Sequence, residues 1–303
     1  MELSKLTTEQ RNNSSITMDE MSTMEILETI NNEDKKVAYA VEKVLPQVGL
    51  AIEKISNALK QGGRLFYAGA GTSGRLGIID ASECPPTFMT PPDMVQTVMA
   101  GGTEAFFQAI EGSEDNESQG KKDMKIKMLT SKDAVVGITA SGRTPYPIGA
   151  LKYAQEVGAY TVSLSCNPQS VISRNADTAI EVVVGPEVLT GSTRMKAATA
   201  HKMILNMIST TTMVKLGKVH ENLMVDVHAS NYKLLERAKR TLMEITGVSY
   251  DEAEKTLALT KHEVKPAIVM IKGGVTYEDA RNAIDHSNGF VRDAIDYVLK
   301  HNV

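Results

Sequence analysis

The 303-residue chain has no tryptophan, and aromatic residues make up only 5% of it. Stacking platforms for single-stranded nucleic acid depend on such rings, so that class of partner is disfavoured from the outset. There is no basic field either: the formal net charge is −4 at pH 7, which offers nothing to draw a phosphate backbone. Cys84 and Cys166 are the only cysteines. Two are too few for a disulfide framework and suit a reducing compartment. No apolar run is long enough to span a bilayer, and the opening M-E-L-S-K-L-T-T-E-Q-R lacks the apolar core of a secretion signal. The expectation is a cytoplasmic protein that meets neither nucleic acid nor membrane. C-x-x-C and H-E-x-x-H are also missing, so no metal or redox cofactor is expected. What remains, 42% hydrophobic and 23% charged, is ordinary globular composition. The length suffices for one large domain and a smaller one.

The chain changes character three times. Residues 1–20 are polar, a tail or an arm that orders against something else. Met24, Leu27 and Ile30 fit a short helix. Val37, Val41, Val44, Val48, Ile52, Ile55 and Leu59 fall on one face of a longer one, with Pro46 placed to kink or split it. From Leu65 the pattern becomes strand, loop, helix. Candidate strands are Leu65–Ala68, Val95–Met99, Ala134–Thr139, Tyr160–Ser165 and Ala179–Val184. Helices are expected over Thr103–Ile110, Asn116–Leu129, Pro147–Val157 and about Thr193–Leu216. Apolar strands alternating with helices imply an α/β fold, a parallel sheet sandwiched by helices, with ligands at the carboxyl ends of the strands. Beyond about Val219 the chain reads as helical and strand-free. It carries an echo, G-V-S-Y-D-E-A from Gly247 and G-V-T-Y-E-D-A from Gly274, each a helix start with a hydroxyl N-cap. The divisions drawn are 1–54 (arm and helices), 55–218 (sheet domain) and 219–303 (all-helical subdomain).

Three loops carry the chemistry. After the first strand comes G-A-G-T-S-G-R, in which Gly69, Gly71 and Gly74 spell G-x-G-x-x-G. A dinucleotide site needs an acid at the end of the next strand, and V-Q-T-V-M-A-G-G ends in glycines. Thr72, Ser73 and Arg75 suit a single phosphate better: two hydroxyl donors and a cation. After the third strand comes A-S-G-R-T-P, with Ser141, Arg143 and Thr144. Before the long helix comes L-T-G-S-T-R-M-K, with Ser192 and Lys196. Three such loops on one sheet edge point to a phosphorylated small molecule.

These loops resemble those of the sugar isomerase (SIS) domain. More narrowly, T-E-Q-R-N, G-A-G-T-S-G-R-L-G-I-I-D-A-S-E-C-P-P-T-F, G-S-E-D-N, G-S-T-R-M-K-A-A-T-A-H-K and N-L-M-V-D-V resemble the N-acetylmuramic acid 6-phosphate etherase family over nearly the whole chain. The resemblance implies a lyase that opens the sugar ring, eliminates D-lactate from C3 and adds water, acting without a cofactor. It implies Glu83 as proton donor and Glu114 as the second acid/base. Local physics is compatible with Glu83, bounded by apolar residues and prolines that would raise its pKa. For the second role Glu111, Asp115 and Glu117 compete, and only the resemblance selects Glu114. The phosphate is expected on Gly71, Thr72, Ser73, Ser141, Arg143, Thr144, Ser192 and Lys196. His201, His220, His228 and Lys202 are further candidates. A homodimer is expected from the family. Two rivals stay open: a phosphosugar isomerase, and a sensor akin to glucokinase regulatory protein that binds without turnover.

Overall fold

The computed structural model describes residues 6–227 and 232–301. The chain divides into two compact units: residues up to Ser82 together with Asp93–Ser209, and Glu83–Pro92 together with the chain from Thr210 onward. Among the described residues no helix is long and apolar enough to cross a membrane.

The first unit holds a five-stranded parallel sheet: β1 (Leu65–Gly69), β2 (Val95–Met99), β3 (Ala134–Thr139), β4 (Tyr160–Ser165) and β5 (Thr178–Glu181), in the order β2-β1-β3-β4-β5. β1 and β3 are buried at every position, as strands covered on both faces must be. β5 is shorter than its apolar run suggests. At its end the Glu181 carboxylate accepts from the Gln169 and Ser170 amides and the Ser173 hydroxyl. The strands next to β1 are β2 on one side and β3 on the other. The winding therefore reverses there, and the crevice beyond the carboxyl ends of β1 and β3 is the topological switch point where such sheets take ligands.

Helix α1 (Thr23–Glu42) opens on a complete capping box between Ser22 and Glu25 and runs unbroken where the sequence suggested two pieces. The break falls at Lys43–Val44, and Pro46 sits in the first turn of α2 (Leu45–Lys60), where its missing N–H costs no bond. After β1 comes α3 (Gly71–Phe88), which carries Pro85 and Pro86 near its end. The helix expected over Thr103–Ile110 shrinks to one turn, α4 (Glu104–Phe107), because Gln108 turns extended at φ −139°. α5 (Glu117–Ile126) and α6 (Pro145–Glu156) touch backbone to backbone: a Cβ on Gly120 would strike the Tyr146 carbonyl, and one on Gly149 the Glu117 carbonyl. That contact pins the segment just before α5. The last helix of the sheet region is α7 (Lys196–Lys215).

The second unit is not strand-free. A short antiparallel ribbon, β6 (Val219–His220) and β7 (Leu223–Met224), precedes α8 (Tyr232–Thr246), α9 (Tyr250–Leu259), α10 (Val264–Gly273), α11 (Tyr277–His286) and α12 (Val291–His301). The sequence echo is a structural repeat whose period is the spacing from Gly247 to Gly274, 274 − 247 = 27 residues. Ser249 and Thr276 cap α9 and α11 alike, each accepting from the amide three residues on. The Tyr250 and Tyr277 hydroxyls each donate to a glutamate fourteen residues back, Glu236 and Glu263. The connecting turns also match: Lys261 and His262 have φ of 53° and 66°, and Asn288 and Gly289 have 51° and 85°. Stacked repeats bury between them a face that none could bury alone, here Ala253, Leu257, Ala267, Ile268, Ala280 and Ala294.

Candidate active site

The β1–α3 loop sits at the switch point. A Cβ on Gly69 would strike the Gly74 amide, and one on Gly74 would strike Met99 and the Gly69 carbonyl. This glycine pair lets α3 start hard against the strand end. Gly71 turns with φ of 53° into open space. The first-turn amides of a helix lack intrahelical acceptors, and here they stand beside the half-buried Thr72 and Ser73, a donor set suited to an anion.

The β3–α6 loop follows the strand that pairs with β1. Thr139 Oγ1 lies 2.8 Å from Thr144 Oγ1 and 3.3 Å from Ser141 Oγ, and the Arg143 amide donates to Ser141 Oγ at 3.2 Å. Pro145 and Pro147 delete two N–H groups from the first turn of α6. An anion on this side therefore depends on the hydroxyls more than on the helix end.

Sequence reasoning missed Asn167, at the carboxyl end of β4. Its amide donates to the Ala140 and Ser141 carbonyls at 3.1 and 3.4 Å and to Thr8 Oγ1 at 3.1 Å, and its Oδ1 accepts from the Thr7 amide at 2.6 Å. It thus ties the second loop to the N-terminal arm. Asn12 and Ser15 extend the tie by donating to the carbonyls of Pro186 and Val188. The arm orders against its own sheet. The available signal was a polar residue directly after an apolar strand, in S-L-S-C-N-P.

Glu114 lies in a 3-10 turn, Ser113–Asp115, and is exposed. It shares a cavity of about 240 Å³ with Gly71, Arg75, Ala109, Glu111 and Gly112. Of the competing acids Glu111 lines the same cavity, Asp115 is not among its lining residues, and Glu117 pairs with Lys152 at 2.6 Å. Arg75 departs from the sequence reading. Instead of standing open for phosphate, its guanidinium donates to the main-chain carbonyls of Phe106 (3.0 Å), Ala105 (2.8 Å) and Gln108 (3.3 Å).

The third loop also departs from expectation. Glu187 accepts from the Lys196 and Ala197 amides at 3.0 and 2.9 Å, so the anion position at the start of α7 is already filled by the chain's own carboxylate. Lys196 is 1% exposed, and its Nζ lies 2.6 Å from Glu33 Oε2. The ammonium is held by Glu33, not presented to an incoming phosphate. Burial alone would raise the Glu33 carboxyl, but donors from Lys196, Lys36, Ser14 and Asn12 outweigh it and hold the pKa at about 2. Ser192 is half-buried in the same loop.

His201 is 1% exposed, with Nε2 3.4 Å from Cys166 Sγ. Burial pushes the imidazole down to about 4 and the thiol up. A neutral, sealed imidazole does not meet substrate, which removes the role anticipated for it. His220 belongs to the second unit and is also pushed down, chiefly by burial. His228 lies outside the described residues. Lys202 is exposed on α7. Glu83 is on α3, in the portion assigned to the second unit, and is exposed. The desolvation anticipated from its apolar neighbours is not present in this chain. The second unit has a cleft of its own, about 350 Å³, where Asp226 pairs with Lys218 and Lys265.

A parallel sheet in 2-1-3-4-5 order with serine- and threonine-lined loops at its switch point fits an SIS-domain protein. Two family profiles agree: the glucokinase regulatory protein N-terminal SIS domain over residues 47–155 and the SIS domain over residues 114–211. A phosphoheptose isomerase from Francisella tularensis has the same fold, with a TM-score of 0.51 at 14% identity over 64% of this chain and 100% of that one. The N-acetylmuramic acid 6-phosphate etherase of Bacillus subtilis (strain 168) is 56% identical over 98% of this chain and 98% of its own. That of Yersinia pestis (strain Pestoides F) is 54% identical over 97% and 100%. The chain belongs to the N-acetylmuramic acid 6-phosphate etherase family.

Proposed function

We propose that this chain catalyses the reaction its family is named for, as a carbon–oxygen lyase acting on N-acetylmuramic acid 6-phosphate. Opening the ring makes C1 an aldehyde and acidifies the C2 proton. A base removes that proton, and an acid protonates the ether oxygen so that D-lactate leaves from C3. Water then adds to the unsaturated aldehyde with the roles reversed, giving N-acetylglucosamine 6-phosphate. No step needs a metal or a redox cofactor. In this reading Glu83 is the proton donor and Glu114 the second acid/base. The phosphate rests on Gly71, Thr72, Ser73, Ser141, Arg143, Thr144 and Ser192. The enzyme works in the cytoplasm as a homodimer, in peptidoglycan sugar recycling.

The observation that carries the reading is the cavity lined jointly by Gly71 and Glu114. It brings Gly71, from the loop read as the anion cradle, and the Glu114 carboxylate to one cavity, which supports an acid/base acting next to the phosphate. Identity above half over nearly the full length supports the substrate. The test is incubation with N-acetylmuramic acid 6-phosphate in deuterated water. Lactate release with deuterium at C2 of the product is expected. Ketose formation without lactate would mean an isomerase, and binding without turnover a sensor.

A further inference from the structure

Arg75 stands in the second turn of α3, four residues after Gly71. Its Nε reaches the Phe106 carbonyl, while one Nη reaches those of Ala105 and Gln108. These carbonyls sit at the end of α4, a helix of one turn, where carbonyl groups lack intrahelical donors. A planar guanidinium fork satisfies neighbouring peptide carbonyls together, which a lysine ammonium cannot do in one geometry. A cation at a helix C-terminus also matches the local dipole. From Gln108 the chain runs through Ala109, Ile110 and Gly112 to Glu114, all lining the cavity that Gly71 shares. The far end of this segment is pinned by Asn116, which accepts from the Gln119 amide to cap α5. Arg75 fixes the near end.

We propose that Arg75 is a positioning residue for Glu114: it anchors the segment carrying that carboxylate to the same helix whose first turn forms the phosphate cradle. The inference rests on the reading of Glu114 as an acid/base. Because α3 carries both the cradle and the anchor, the distance between phosphate and carboxylate is set by one rigid element. Misplacement of a catalytic group by about 1 Å costs up to roughly a hundredfold in rate.

The test compares R75K, E114Q and the double variant, each checked by thermal melting, in lactate release and in binding of N-acetylglucosamine 6-phosphate. R75K is expected to lower kcat by about ten- to a hundredfold, to leave the dissociation constant of the product within about threefold, and to speed amide exchange over residues 108–116. In the double variant R75K is expected to add little to the loss caused by E114Q, because groups acting as one unit are non-additive. A weakened product affinity with unchanged kcat would make Arg75 a phosphate ligand and overturn the proposal. So would full additivity, or an R75K enzyme with wild-type kcat beside a slow E114Q. If E114Q itself runs at full speed, the Glu114 role falls and this inference falls with it. That outcome is distinct from the others because it appears without touching Arg75.

Discussion

Glu33 on α1 and Lys196 at the start of α7 form a 2.6 Å ion pair in which both side chains are sealed from solvent. Removing one partner of a buried pair leaves an uncompensated charge, at a typical cost of about 3–5 kcal/mol. E33Q, which strands the buried Lys196 ammonium, is expected to lose stability of that order in urea titrations, K196M less because Lys36 still pairs with Glu33, and the double variant E33Q/K196M less than the sum. The Glu33 pKa is depressed when folded, so its contribution is present above the ordinary glutamate pKa and fades as the pH falls toward 2. Melting curves taken from pH 5 downward are expected to show a decline that E33Q lacks.

The proton donor is tested by lactate release. General acid catalysis contributes about a hundred- to ten-thousandfold. E83Q is expected to lose activity of that size while still binding product. Wild-type lactate release from E83Q would sink the assignment.

The second acid/base is tested among its neighbours. E114Q is expected to abolish deuterium incorporation at C2. E111Q, on the same cavity, is expected to keep most of it, and D115N all of it. If E111Q proved the inactive one, the base would move three residues along the cavity wall.

The two hydroxyl loops predict a binding phenotype. A hydrogen bond to a charged group is worth about 1.5–3 kcal/mol, or ten- to a hundredfold in affinity. S73A and S141A are each expected to raise KM by about that factor with kcat little changed. K196M is expected to act on stability, because its ammonium faces Glu33. A selective rise in KM from K196M at unchanged melting temperature would restore it to the phosphate.

The repeat in the second unit predicts an asymmetry. His262 occupies the left-handed position that Gly289 occupies one repeat later. A side chain in that region costs about 1–2 kcal/mol. G289A is therefore expected to destabilise by about that amount, whereas H262G is expected to be neutral or mildly stabilising, the relief being offset by the entropy of glycine in the unfolded chain. Chemical denaturation reads both. An equal loss from each would mean that His262 makes a contact its counterpart does not need.

Much of the fold was legible because strands buried on both faces write themselves as continuous apolar runs, as in L-F-Y-A and A-V-V-G-I-T. The glycine loops could be placed because strand and helix boundaries bracket them. Arg75 and Lys196 were misread for a common reason. Sequence shows a cation beside a hydroxyl but not the carbonyl or carboxylate that long-range folding brings to it: Phe106 for one, Glu33 for the other. Asn167 had a local signal, but its role was not legible because its partners, Thr7, Thr8 and Ala140, lie far along the chain. His201 was overvalued because burial, which neutralises it, leaves no local mark in A-A-T-A-H-K. The helical echo was plain in its N-caps, and its meaning lay in the fourteen-residue tyrosine–glutamate spacing.

The docked N-terminal arm has a consequence in time. Asn12 and Ser15 find their acceptors at Pro186 and Val188, 174 and 173 residues further on. The earliest of these segments to leave a ribosome thus cannot complete its contacts until the last strand of the sheet has been made. At about 5–20 residues per second that interval is roughly 9–35 s. Until then the contacts of Asn12 and Ser15 are unmade, so a protease-protection time course during synthesis is expected to see this segment protected late.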